Sequence, residues 1–126
     1  MSKDNLNLGK LAEEKAREFL KANGYKIVCR NFKTKLGEID IIARDKDTLC
    51  FVEVKCRSSD RFGSGFEAVG KLKQKQISKA ALLYLKENKL LDKKARFDVV
   101  SLDYSGDKET IGLVKDAFEL EERFIY

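Results

Sequence analysis

Gly37-Glu38-Ile39-Asp40-Ile41-Ile42 and Phe51-Val52-Glu53-Val54-Lys55 decide how this sequence is read. Each is a short run of β-branched and aromatic residues with charged side chains at alternate positions, the pattern of a strand. Between them lies Arg44-Asp45-Lys46-Asp47-Thr48, a polar turn. Charges inside such strands are costly to bury unless they are paired or bound to a metal. A hairpin carrying Asp40, Glu53 and Lys55 therefore asks what those charges hold.

A turn centred between Lys46 and Asp47 sets the register. Asp40 then faces Glu53, Glu38 faces Lys55, and Ile42 meets Phe51 on the same face. Ile39 and Ile41 meet Val54 and Val52 on the other. Directly opposite residues have Cβ atoms roughly 4.5–5.5 Å apart. Two carboxylates that close repel unless something positive lies between them, and a divalent cation with hard oxygen ligands suits the place. A slip of one residue would send the charges to opposite faces, so the reading stands on the register. Glu38 and Lys55 read as a cross-strand ion pair.

Working outward, Leu8 to Asn23 reads as a helix, with Leu8, Leu11, Ala12, Ala16, Phe19 and Leu20 along one face. Asn23-Gly24 ends it. Glu13 lies at the edge of that stripe, either leaning toward the sheet or staying an exposed helix residue, whereas Glu14 points outward. Tyr25 to Phe32 is a strand, Lys35-Leu36-Gly37 a turn, Glu38 to Ala43 and Leu49 to Cys56 the two strands above. Ser58 to Gly65 is a loop. A long helix runs from Phe66 or Glu67 to about Asn88, then a strand from Phe97 to Leu102 and a weaker one near Ile111 to Phe118. This order predicts an α/β fold with a mixed sheet flanked by helices. On the long helix Val69, Ile77, Ala80 and Tyr84 form the apolar face, and Lys71, Lys75, Lys79 and Lys86 the opposite, solvated one. Lys73 falls near the centre of the apolar stripe. Either it points at the sheet, toward a carboxylate or a phosphate, or it snorkels to water.

The chain has 126 residues, which predicts one domain over 1–126. With 43% hydrophobic and 37% charged residues it has enough apolar content to fold. A net charge of +5 permits an anionic partner without demanding one. Cys29, Cys50 and Cys56 form no CxxC, and the chain has no histidine. The expectation is three small buried thiols in a reducing cytoplasm, with neither a disulfide framework nor a structural zinc. Triads with a histidine base are excluded, so catalysis must rest on carboxylates, lysines, cysteines or a metal. The N-terminus lacks the apolar run of a signal peptide, and no stretch approaches the ~20 apolar residues of a membrane span.

Asp40 followed after a hairpin by Glu53-Val54-Lys55 resembles the D…(D/E)-x-K signature of the PD-(D/E)XK nucleases. The wider chain resembles the uncharacterised UPF0102 (YraN-like) family, related to archaeal Holliday junction resolvases. The matching stretches are Gly9 with Glu13 and Ala16, Gly24-Tyr25, Arg30-Asn31, Gly37-Glu38-Ile39-Asp40, Phe51 to Lys55 with Arg57, Phe62-Gly63, Ala68-Val69 with Lys73, and Arg96-Phe97-Asp98-Val99-Val100. Ala12 departs where the family usually has glycine, and Gln76 where arginine is common.

The resemblance implies a restriction-endonuclease-like, resolvase-like αβββαβ core and metal-assisted hydrolysis of a phosphodiester. It implies Mg²⁺ or Mn²⁺ on Asp40 and Glu53, with the Val54 carbonyl and Glu13 completing the set. Lys55 would orient or deprotonate the attacking water and stabilise charge at the phosphate. Lys73 matches a helix lysine of the family, and Arg57, Lys73 and Gln76 face the nucleic acid, Gln76 with a weaker contact than arginine would make. Branched DNA and a homodimer follow only by analogy with the resolvases. For Arg57, Phe62 and Gly63 loop geometry explains the residues equally well, and Asp98 reads as structural, paired with Arg96 or Lys73. Two other readings stand beside the nuclease: a nucleic-acid-binding module with little turnover, and a protein-interaction factor with a vestigial acidic cluster.

Overall fold

The structure is a computed structural model that describes residues 2–57, 70–104 and 108–119, with side chains from residue 9 onward and Arg57 by its backbone alone. Its elements are α1 (Ser2–Ala22), β1 (Lys26–Lys33), β2 (Glu38–Asp45), β3 (Thr48–Arg57), α2 (Lys71–Glu87), β4 (Ala95–Asp103) and β5 (Thr110–Phe118). Ser58 to Gly65, Phe66, Glu67, Ala68 and Val69 lie outside the described residues.

α1 begins at Ser2, six residues before the expected Leu8, since no proline precedes the apolar stripe to stop it. It ends where Asn23-Gly24 predicts. Gly24 takes φ +91, its N–H donates to the Lys21 carbonyl, and the Tyr25 N–H donates to that of Leu20. These two bonds satisfy carbonyls that a helix end would otherwise leave open. Ala12, Ala16 and Leu20 are buried as expected, but Leu11 stays 47% exposed at the edge of the stripe.

The five strands pair in chain order, β1-β2-β3-β4-β5. All neighbours are antiparallel except β3 and β4, which run parallel because α2 carries the chain back between them. The sheet has a core on each face. On one side α2 gives Ile77, Ala80, Ala81 and Leu85 to Ile42, Phe51 and Phe97. On the other α1 gives Ala12, Ala16 and Leu20 to Ile41, Val52, Val100 and Leu102. This is the mixed, helix-flanked sheet of a resolvase-like core.

The β2–β3 hairpin has the expected register, from Asp45 opposite Thr48 to Ile42 opposite Phe51 and Ile41 opposite Val52. Lys46 makes the turn with φ +57. The ladder stops at Ile41, however, and this corrects two expectations. Ile39 packs with Ile42 and Phe51 on the α2 side, not with Ile41 and Val54. Among the described residues Glu38 forms no ion pair with Lys55; its Cα partner is Lys33 of β1. The burial expected of three cysteines holds for Cys50, while Cys29 is half-buried and Cys56 exposed.

Candidate metal centre

Beyond the last paired residues of the hairpin, β2 and β3 are joined by a side chain. Asp40 Oδ2 accepts the Val54 N–H at 2.8 Å. The Asp40 carboxyl is close enough to that of Glu53 to disfavour its ionisation. The Glu53 side chain is only 11% exposed, and its Oε1 is buried without a hydrogen-bond partner. Its Oε2 lies 3.7 Å from the Lys73 ammonium of α2. Burial, then the Asp40 charge, push the Glu53 pKa up to about 8, against the opposing pull of Lys73 and Lys55. An acid so placed needs a proton or a cation to be comfortable.

α1 supplies the third acid. Burial raises the Glu13 pKa, the charges of Asp40 and Glu38 add to it, and the neighbouring Asn31 side chain and Arg30 charge oppose it. Glu13 thus lies within the field of Asp40, and it lines a cavity with Lys10, Glu14, Arg30 and Asn31. Its neighbour Glu14 turns away, paired with Arg17 and with Arg30 at 2.8 Å. Glu38, read above as half of an ion pair, instead adds to the negative field around Glu13. Among the described residues no three acid or thiol groups are already closed around an ion position.

Lys73 settles its two readings on the side of the sheet: it reaches Glu53 while keeping about half its exposure, 48%. What holds α2 there is Gly37. A Cβ at that residue would sit 2.4 Å from the Gln76 carbonyl oxygen, so the helix backbone rides directly on the turn. Thr34 shapes the turn, accepting the Leu36 and Gly37 N–H groups on Oγ1. The Gln76 side chain is exposed. The Arg57 side chain, Phe62 and Gly63 lie outside the described residues.

Away from the acids, Asp98 is fully buried and fully engaged. It accepts from the Tyr25 hydroxyl at 2.7 Å, from Arg96 Nε at 3.0 Å and from the Asp116 N–H at 2.9 Å. Arg96 also reaches Asp45 at 2.6 Å. Asp98 is structural, as expected, and its partner is Arg96 and not Lys73. The extent of this network, tying the residue before β1 to β2, β4 and β5, is not visible in sequence because its members are far apart in the chain. Asn31, which shares a cavity wall with Glu13, was not singled out in sequence; its one signal is an asparagine inside a strand, a residue that favours left-handed backbone.

A small α/β domain with a mixed five-stranded sheet and an acid pair on its central hairpin has the architecture of the PD-(D/E)XK nuclease superfamily. Within it, this chain belongs to the uncharacterised protein family UPF0102, whose model matches residues 12–102. It is 50% identical over 116 residues to a UPF0102 protein of Syntrophus aciditrophicus, covering 92% of this chain and 91% of that one. It is 48% identical over 120 residues to one of Geobacter metallireducens, covering 95% and 98%. One of Clostridium kluyveri is 41% identical over 118 residues, covering 92% and 97%. No helix among the described residues is long and apolar enough to cross a membrane.

Proposed function

We propose that this protein is a divalent-metal-dependent endonuclease that hydrolyses phosphodiester bonds in DNA. The observation that carries this reading is the buried, unpartnered Oε1 of Glu53 beside Asp40. A half-satisfied acid pair next to an ammonium is a poor structural element and a good cation site. The donor set fits Mg²⁺ or Mn²⁺, which take oxygen ligands. Asp40 and Glu53 would hold the ion, with Glu13 closing from α1. The Val54 carbonyl leaves β3 on the same side as the N–H that Asp40 accepts, and so borders the same gap. When bound, the ion supplies Lewis acidity and lowers the pKa of water at the site.

The chain's own groups do the rest. Asp40, tied to Val54, keeps the two strand acids convergent. Lys55 orients the attacking water or, as the free amine, takes its proton, and in its ammonium form offsets charge on the phosphate. Lys73, which is half exposed, contacts a neighbouring phosphate, and Arg57 and the weaker Gln76 are further nucleic-acid contacts of the same proposal. A net charge of +5 favours a polyanion. Branched DNA as substrate, a homodimer as working unit and the cytoplasm as location belong to the same proposal, by analogy with the resolvases.

The test is incubation of the pure protein with branched, flapped and single-stranded DNA in the presence of Mn²⁺. Cleavage by wild type that disappears in Glu53→Gln supports the proposal. DNA binding without cleavage of any substrate replaces it with the binding-module reading, and absence of both DNA and Mn²⁺ binding with the interaction-factor reading.

A further inference from the structure

The cation in contact with Glu53 is the ammonium of Lys73. Its Nζ lies 3.7 Å from Glu53 Oε2, an ion-pair distance but longer than a hydrogen bond. The two oxygens of this carboxyl group are therefore unequal. Oε2 faces Lys73, and Oε1 is buried with no hydrogen-bond partner. The acid is 11% exposed and the lysine 48%, so one partner is fixed inside the protein while the other reaches water.

Rigid elements aim both residues. Glu53 follows Phe51 by two in β3 and shares its side of the sheet, the one that α2 covers. Lys73 stands in the first turn of α2, whose backbone rests on Gly37 at Gln76. A cation is the disfavoured charge at a helix N-terminus, and this turn has no acidic residue and no side-chain cap to offset it. Glu53 offsets it from the sheet instead. The contact is loose enough to be exchanged. A divalent ion on the same carboxylate carries twice the charge and repels an ammonium that stays beside it. The half-exposed stem of Lys73 lets the ammonium swing out to solvent.

We propose that Lys73 is the resident cation of this site: in the metal-free protein its ammonium holds the place beside Glu53 that a divalent ion takes, and the ion's arrival releases it toward solvent, where a phosphate of the nucleic acid receives it. This rests on the metal-dependent reading above and deepens it, since Lys73 then has two successive partners and the ion decides which. Lys73 and the ion compete for Glu53, and loss of the lysine's charge strengthens the hold on the ion.

Calorimetry with Mn²⁺ on wild type, Lys73→Met, Lys73→Arg and Lys71→Met reads that competition, with thermal midpoints as the control for folding. Lys73→Met keeps the stem and drops the charge, and is expected to bind Mn²⁺ roughly 3- to 30-fold more tightly than wild type. Lys73→Arg keeps the charge and is expected to stay near wild type. Lys71→Met removes the same charge from an exposed lysine of the same turn and is expected to stay within about two-fold. Equal or weaker binding in Lys73→Met, or an equal gain in Lys71→Met, overturns the proposal and leaves the metal-dependent reading in place. Binding by Lys73→Met alone supports the proposal and removes that reading for the wild type. Binding by neither overturns both. A second readout follows the lysine itself, through its ε-CH₂ resonance, assigned by its absence from Lys73→Met. Adding Mg²⁺ to wild type is expected to move this resonance toward its position in metal-free Glu53→Gln, where the carboxylate is gone. A resonance that stays in place while Mg²⁺ binds overturns the release.

Discussion

Glu53 is nearly buried, with one carboxylate oxygen unpartnered and Asp40 beside it. Its folded pKa of about 8 lies above the ordinary 4.5, so the fold prefers the protonated form. By linkage, the stability this group contributes is complete below its unfolded pKa and is lost as pH rises through about 8. Glu53→Gln, a neutral isostere, should therefore leave the metal-free protein progressively more heat-stable than wild type as pH rises from about 5 to about 9. Melting curves across that range check this, and parallel curves for the two proteins would contradict it. Lys55 has a different role and a different signature. Lys55→Met is expected to lower kcat by roughly 10²–10⁴-fold while leaving Mn²⁺ affinity within a few-fold. At this scale much of the site was legible. Alternating charge in an apolar strand marked Asp40, Glu53 and Lys55, and a lysine inside a helix's apolar stripe marked Lys73. The change of face at Asp40 was not legible, because the alternation of apolar residues does not reveal it.

Elements are placed by contacts the residues alone do not advertise. α2 carries Lys73 to the site only because Gly37 lets the helix backbone close on the turn. Gly37→Ala drives a methyl group into the Gln76 carbonyl and must push α2 away. The expected result is a loss of ~1–3 kcal/mol in denaturant melts and weaker binding of DNA, since Lys73 leaves Glu53. The Asp98 network makes a second prediction. Asp98→Ala leaves Arg96 and the Tyr25 hydroxyl short of a buried partner, and should cost ~3–5 kcal/mol in the same melts. Asp47→Ala, which removes an ion pair to Lys94 exposed on both sides, should leave the midpoint unmoved. Helix and strand positions followed from apolar spacing, and the close of α1 from Asn23-Gly24. The Ile39 face and the Glu38–Lys55 pair were misread for one reason: regular alternation was carried through Asp40, where the ladder ends and β2 changes face.

For the molecule as a whole, two helices on opposite faces of one sheet leave the central hairpin's far end for the acids. α2 brings Lys73 to Glu53 from one face, and in the proposed site α1 adds Glu13 from the other, so that site would draw on both layers. A helix between β3 and β4 made their parallel pairing legible, because parallel neighbours need a crossover. The contacts between layers were not, because they join residues distant in the chain through packing and not through any local pattern. The central claim is that Asp40, Glu53 and Glu13 form a cation site. The most direct test is a crystal soaked in Mn²⁺ with anomalous diffraction. The account predicts one strong peak in contact with the Asp40 and Glu53 carboxylates, with Glu13 turned toward it. Density showing Asp40 and Glu53 free of any ion at millimolar Mn²⁺ would contradict it.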